Sequence, residues 1–204
     1  LGVAAASGPH AGEWAGPPSL RLVRRVPAYR LDVYEGGALT RTYVVAVGKP
    51  GHRTPAGSYR ITRVIWNPWW HPPASRWARG RRPVPPGPRN PMGRVKMYFR
   101  NLYYIHGTPD HESLGRPASH GCVRMSNRDA VELARLVHRY GSPDVSPTEL
   151  DALVRNRRQT RTIWLKRPVP FLVVYRRTRA DAGPSAPRPE PPGLTLPGVP
   201  WPGS

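Results

Sequence analysis

Tyr104 to Met125 reads YIHGTPDHESLGRPASHGCVRM. The stretch gathers His106, His111, His120 and the chain's only cysteine, Cys122. Leu102 to His106 has the β-branched and aromatic character of a strand. Gly107, Gly115 and Gly121 then give the chain freedom to fold back on itself. Immediately after it, Ser126-Asn127-Arg128-Asp129 is a helix-capping signal. Ala130, Val131, Ala134 and Val137 recur at helical spacing, and Gly141 marks the end. A strand, a glycine-rich return and a capped helix therefore surround a thiol and three imidazoles.

Working outward, period-2 patterns dominate the first half. Tyr29, Leu31 and Val33 alternate with Arg30 and Asp32, Glu35-Gly36-Gly37 reads as a turn, and Leu39 to Val47 follows, which together predict a hairpin. Tyr59 to Trp66 and Arg94 to Phe99 are further strands. Residues 67–93 are punctuated by Pro and Gly and hold Trp69, Trp70 and Trp77, so they read as a long loop over a site. Ser146-Pro147-Thr148-Glu149 predicts a second, short helix. Thr160 to Leu165 and Val169 to Tyr175 return to strand. The sum is a mainly β domain with one main helix after Cys122 and a shorter one behind it.

The ordered domain is expected over 19–179. Residues 1–18 are small and Gly/Pro-rich and read as a disordered lead-in, within which Leu1 to Ser7 looks like the remnant of a secretory signal without its basic n-region. The segment 180–204 reads as a disordered tail, since Asp181 to Ser204 carries eight prolines and four glycines. With 28 prolines in 204 residues a long-helix bundle is excluded, because each proline inside a helix costs about 3 kcal/mol. One cysteine excludes a disulfide scaffold. No run of about 18 apolar residues is present to span a membrane.

The formal charge is +20, and it is unevenly placed. Between Glu35 and Asp110 no acidic residue occurs, while residues 36–109 hold 13 Lys or Arg. That window implies either an anionic partner or a solvated basic face. No helix-turn-helix, zinc-finger or RRM signature accompanies it, so nucleic acid is not the expected partner.

Three chemistries fit the histidine–cysteine stretch. The first is nucleophilic catalysis: a thiol of pKa about 8.5 needs a base or a positive field to react at neutral pH. His106 supplies a base if the chain folds back. Cys122 lies just ahead of the capped helix, whose positive end is expected to depress the thiol pKa. Amides around 121–122 are candidate oxyanion donors. Arg124, two residues on, points to the same side in a strand. The second is a zinc site of His106, His111, His120 and Cys122, although HisX4HisX8HisXCys matches no finger pattern. The third is a buried free cysteine among surface histidines.

A resemblance favours the first. Ser119-His120-Gly121-Cys122-Val123-Arg124, preceded by Ile105-His106-Gly107-Thr108, resembles the signature of the YkuD-type L,D-transpeptidases. Arg30 to Tyr34 with Val45 to Lys49 is similar to that family's opening hairpin, and Thr54-Pro55-Ala56-Gly57-Ser58-Tyr59 to its TPxGxY motif. Asn67 to Pro73 and Pro85 to Gly93 resemble its loop motifs. The final Arg167-Pro168-Val169-Pro170 with Val173 to Tyr175 is similar to the larger, YcbB-like branch.

The resemblance implies a β-sandwich catalytic domain. It implies Cys122 as nucleophile and His106 as general base. Ser119, His120 and Gly121 would shape the pocket and oxyanion hole. Arg124, Gly107 and Tyr104 would meet substrate, unless Arg124 instead pairs with Asp129 or another acid. It implies acyl transfer between peptidoglycan stem peptides through a thioester, giving 3→3 cross-links or exchange of a terminal D-amino acid. No metal or organic cofactor is implied. An exported, monomeric enzyme at the periplasm or cell wall is expected. The competing expectation is a catalytically inactive basic module that coats wall polymer.

Overall fold

The computed structural model describes residues 20–26 and 28–175. The expected lead-in, signal remnant and tail lie outside the described residues. Ten strands and two helices follow in chain order: β1 (Leu20–Val26), β2 (Arg30–Glu35), β3 (Ala38–Val44), β4 (Val47–Gly48), β5 (Gly57–Trp66), β6 (Val95–Arg100), β7 (Tyr103–Thr108), β8 (Pro117–Ser119), β9 (Val123–Ser126), α1 (Asn127–Gly141), α2 (Pro147–Arg155) and β10 (Arg161–Tyr175). Eight strands form one sheet in the order β3-β2-β1-β10-β5-β6-β7-β9, and β4 pairs with β8 beside it.

The expected hairpin is β2–β3, turned through Gly36 and Gly37 at positive φ. The N-cap signal also holds: the Ser126 side chain accepts from the Asp129 amide, and α1 runs from there. Ser146 and Glu149 form a full capping box on α2, with Pro147 at its start. One face of α1 buries Ala130, Leu133, Ala134 and Val137 against β6, β7 and β10. Leu22, Leu31, Val33, Ile61, Met97, Ile105 and Val123 join them in a single core, so both wings of the sheet close on one interior. The sandwich is thus built mainly from one continuously hydrogen-bonded eight-stranded sheet, with the β4–β8 pair beside it.

The last two expected strands are in fact one. β10 runs through Pro168 and Pro170 with a register shift between Trp164 and Val169. Proline is tolerated there because β1 begins pairing only at Phe171, which leaves the proline side of the strand without a ladder neighbour. His138 on α1 also went unread. It is buried, and its Nε2 accepts from Trp66 Nε1 at 3.0 Å while the two rings stack.

The long loop 67–93 is held by buried amides. Asn90, 1% exposed, donates through Nδ2 to the carbonyls of Pro68, Val84 and Pro85 at 2.8–3.0 Å and accepts from the Met92 amide. Asn67 donates to the Asn156 and Gln159 carbonyls and accepts from Arg94 Nε. Asn90→Ala takes the donor from the Pro68 and Pro85 carbonyls and the acceptor from the Met92 amide, while the Val84 carbonyl keeps the Trp70 amide, and unsatisfied buried polar groups each cost about 1–3 kcal/mol. The variant is expected to lose about 3 kcal/mol in urea denaturation and to become cleavable between 67 and 93. Unchanged stability and unchanged proteolysis would show that the loop is held by something else.

Candidate active site

The register of the sheet places the sequence-predicted pair. β7 and β9 run parallel, with Ile105 beside Val123 and His106 beside Arg124. Ile105 and Val123 face the core. His106 and Arg124 therefore face the other side, as does Cys122, which immediately precedes β9. Continuing the register sets Cys122 beside Tyr104, two residues from His106 on the neighbouring strand. Strand spacings put their Cα atoms roughly 8 Å apart with side chains on one face.

His106 is 2% exposed, and its Nδ1 lies 2.7 Å from the Gly107 carbonyl oxygen. A carbonyl only accepts, so the proton is on Nδ1 and the lone pair on Nε2. Burial pushes the imidazole down to about 4, and the nearby Arg124 and Lys96 cations add to the effect. The ring is neutral at ordinary pH.

Cys122 is half-buried, and burial pushes its thiol up to about 11. The Tyr104 backbone N–H, Arg124 and Lys96 pull the other way. The sulfur contacts the Leu102 carbonyl at 3.6 Å. This corrects the expectation of a depressed thiol pKa. Four residues of β9 separate Cys122 from the first turn of α1, and a helix dipole decays within its terminal turn. The resting pair is a thiol and a neutral imidazole.

The loop between β8 and β9 is built around Ser119. Its hydroxyl donates to the Cys122 carbonyl at 2.6 Å and accepts from the Gly121 amide at 3.0 Å. The Gly121 N–H is thereby engaged and does not face a ligand. Gly121 itself adopts φ +113, and a Cβ there would come 2.5 Å from Tyr103 Cε1. Only glycine fits. The segment 45–49 clamps the loop from outside: Ala46 exchanges two backbone hydrogen bonds with Arg124, and the Lys49 amide donates to the Ser119 carbonyl. Thr54 of the TPxGxY stretch, itself buried, accepts from the Gly48 amide and so fixes that clamp.

Other sequence-predicted residues divide. His120 stacks on Trp77 at 4.0 Å, nearly parallel, and meets His52 edge-on at 4.8 Å. Trp77 comes from the long loop, which does reach over the site. Gly107 is buried beside Asn127, whose side-chain oxygen occupies the space a Cβ would need. Its lack of a side chain lets α1 approach β7, and its carbonyl accepts the hydrogen bond from His106 Nδ1–H. Tyr104 remains on the open face. Arg124 pairs with Asp110 at 3.5 Å, not with Asp129. His111 lies in an exposed turn, and no three of His, Cys, Asp and Glu converge as a metal-ligand set among the described residues.

Sequence reasoning missed Lys96 and His52 as site residues, whereas Trp77 was expected in the loop over the site. Lys96 was within reach of it. It sits opposite His106 in the β6–β7 hairpin, and a registered hairpin sets such pairs on one face.

Comparison with known proteins identifies the family. The family profile of the L,D-transpeptidase catalytic domain (YkuD) matches residues 21–167. YkuD of Bacillus licheniformis, a candidate L,D-transpeptidase by its name, is 36% identical over 118 residues, covering 57% of this chain and 59% of that protein. YbiS of Escherichia coli, named likewise, is 38% identical over 111 residues, covering 49% of this chain and 36% of that protein. The matched region is therefore well under two thirds of either relative. Among solved structures, an L,D-transpeptidase from Mycobacterium smegmatis shares the fold at TM-score 0.51 and 15% identity, covering 77% of this chain and 59% of that one. LdtMt1, solved in complex with imipenem, does so at TM-score 0.51 and 19% identity, with the same coverages. With a profile match over residues 21–167, across most of the described sheet, the chain belongs to the YkuD family of L,D-transpeptidase catalytic domains.

Proposed function

We propose that this chain is a cysteine acyltransferase acting on peptidoglycan stem peptides. The observation that supports the reading is the parallel β7–β9 register, which, continued one residue to Cys122, sets it on the face of His106, whose Nδ1 is engaged by Gly107 so that Nε2 is left as a base. Cys122 attacks the carbonyl of the third stem residue while Nε2 takes the thiol proton. The tetrahedral oxyanion meets the Cys122 amide, since the Gly121 amide is held by Ser119. Collapse expels the fourth residue, D-alanine, whose amine takes the proton from Nε2. A thioester remains. An amine of a second stem then attacks it, giving a 3→3 cross-link and restoring the thiol. A free D-amino acid as acceptor gives exchange instead. The basic window 36–109 supports retention at an anionic wall, and the reading takes the enzyme to act there.

LdtMt1 was solved with imipenem, so the same compound is a suitable probe of the nucleophile. Wild type is expected to show one imipenem adduct by intact mass, mapped to Cys122, and to convert tetrapeptide muropeptides to cross-linked dimers. Cys122→Ala should remain folded and do neither. A wild type inert toward both would leave the basic, non-catalytic module as the better reading. Wall binding that survives Cys122→Ala and falls steeply with salt would then be its signature.

A further inference from the structure

The open face of the sheet carries a row of side chains that the catalytic reading does not use. Trp164 of β10 is registered with Arg63 of β5, Arg63 with Tyr98 of β6, and Tyr98 with Tyr104 of β7. Their side chains touch in that order. The Arg63 guanidinium lies 4.7 Å from the Trp164 ring centroid and 4.0 Å from that of Tyr98. Tyr98 meets Tyr104 edge-on at 5.7 Å, and Lys96 Nζ lies 4.7 Å from the Tyr104 ring. Extending the β7–β9 register by one residue brings the row to Cys122.

Three features mark it as a binding surface. Trp164 is 63% exposed, an unusual place for an indole on a folded domain. Arg63 Nε has no hydrogen-bond partner, although it is shielded from water. Neither Arg63 nor Lys96 is paired with a carboxylate among the described residues. Flat apolar rings edged by phenol and guanidinium donors suit a ligand with apolar C–H faces and many hydroxyl and amide groups. A pyranose amino sugar has that chemistry.

Length selects the occupant. Adjacent strands are about 4.8 Å apart, so Cys122 to Trp164 spans four spacings, roughly 19 Å. A donor stem bound at Cys122 through its third residue reaches back three residues, at most roughly 10 Å when extended. That brings its first residue over Tyr98. The lactyl ether and sugar that bear the stem then fall on Arg63 and Trp164.

Resting on the transpeptidase reading, we propose that Trp164, Arg63 and Tyr98 form a glycan subsite, seating the amino sugar from which the donor stem hangs. The enzyme then prefers stems still attached to their strand over free peptides.

The test uses the full chain in two assays. In the first, Cys122→Ala protein is titrated with glycan strands stripped of peptide by an amidase, with a sugar-free tetrapeptide, with poly-glutamate and with single-stranded DNA. Saturable strand binding is expected, weakened tenfold or more by adding Trp164→Ala, and weakened also by adding Arg63→Gln. In the second, KM is compared for disaccharide-tetrapeptide and sugar-free tetrapeptide. Wild type should favour the former by about tenfold, and Trp164→Ala should abolish the preference through KM. Absence of strand binding, or strand binding indifferent to Trp164→Ala, overturns the subsite. So does an equal loss on the sugar-free peptide, which would make the row a peptide groove. Loss of poly-glutamate or DNA binding alone would make it a polyanion patch and equally overturn it. A wild type that turns over neither donor refutes the transpeptidase reading, whereas strand binding and its dependence on Trp164 are read without turnover.

Discussion

His106→Gln is expected to slow acylation of Cys122 by imipenem at pH 7 by between about 10² and 10⁴-fold, the usual contribution of a positioned general base. The reason lies in the resting state. Burial pushes the thiol up to about 11 and the imidazole down to about 4, so neither is charged at neutral pH. Thiolate alone is then present at about one part in 10⁴ at pH 7. Reaction requires the proton to move to Nε2 as the carbon–sulfur bond forms. The pH profile separates this from a preformed ion pair. In wild type the rate should be nearly flat across neutrality and fall only as His106 itself protonates well below pH 6. In His106→Gln it should rise about tenfold per pH unit toward pH 11, tracking free thiolate. Thiolate absorbance already visible in wild type at pH 7, or parallel profiles for the two proteins, would contradict a neutral resting pair.

Acid is expected to destabilise the fold through two histidines. His106 and His138 are both buried, and burial pushes each down to about 4 from 6.5. In the unfolded chain both bind a proton near pH 6.5; in the folded chain neither does until about pH 4. The unfolded state therefore carries more protons between those values, and stability falls as pH drops through the window. It is fully present above the unfolded value. A shift of this size corresponds to about 3 kcal/mol per histidine, as an order of magnitude. Urea midpoints at pH 7.5 and pH 4.5 should differ sharply. His138→Gln, which keeps an acceptor for Trp66 Nε1 but cannot titrate, should remove about half of the difference. A midpoint independent of pH across this range would show that the two rings are reached by water in the folded chain.

Much of the site was legible because its signals are local. The Ser126 cap, the Ser146 capping box and the Gly36-Gly37 turn are contacts between residues a few positions apart, so short stretches specify them. Strand β1 was not legible. Its alternation places Leu20 and Leu22 inward and then Arg24, an arginine in a core position beside the Tyr175 ring, which hides the period. The union of two apparent strands into β10 was hidden by Pro168 and Pro170. Whether a proline breaks a strand depends on whether a neighbour needs its N–H, and that neighbour is β1, some 150 residues away in sequence.

The thiol shows the same division. Its identity as the single cysteine, the glycine of the tight return before it and the histidine sixteen residues earlier were all in the chain as written. The sign of its pKa shift was not. Sequence placed Cys122 near a helix start, and distance along the chain is a fair guide to a dipole. Burial, however, is set by what packs over the sulfur from other strands, and here it outweighs the nearby cations. The amino-acid order determined the reactive groups and the local turns that present them. Only the closed sheet decided their protonation, the engagement of the Gly121 amide and the row from Cys122 to Trp164, because each of these depends on neighbours brought together across strands rather than along them.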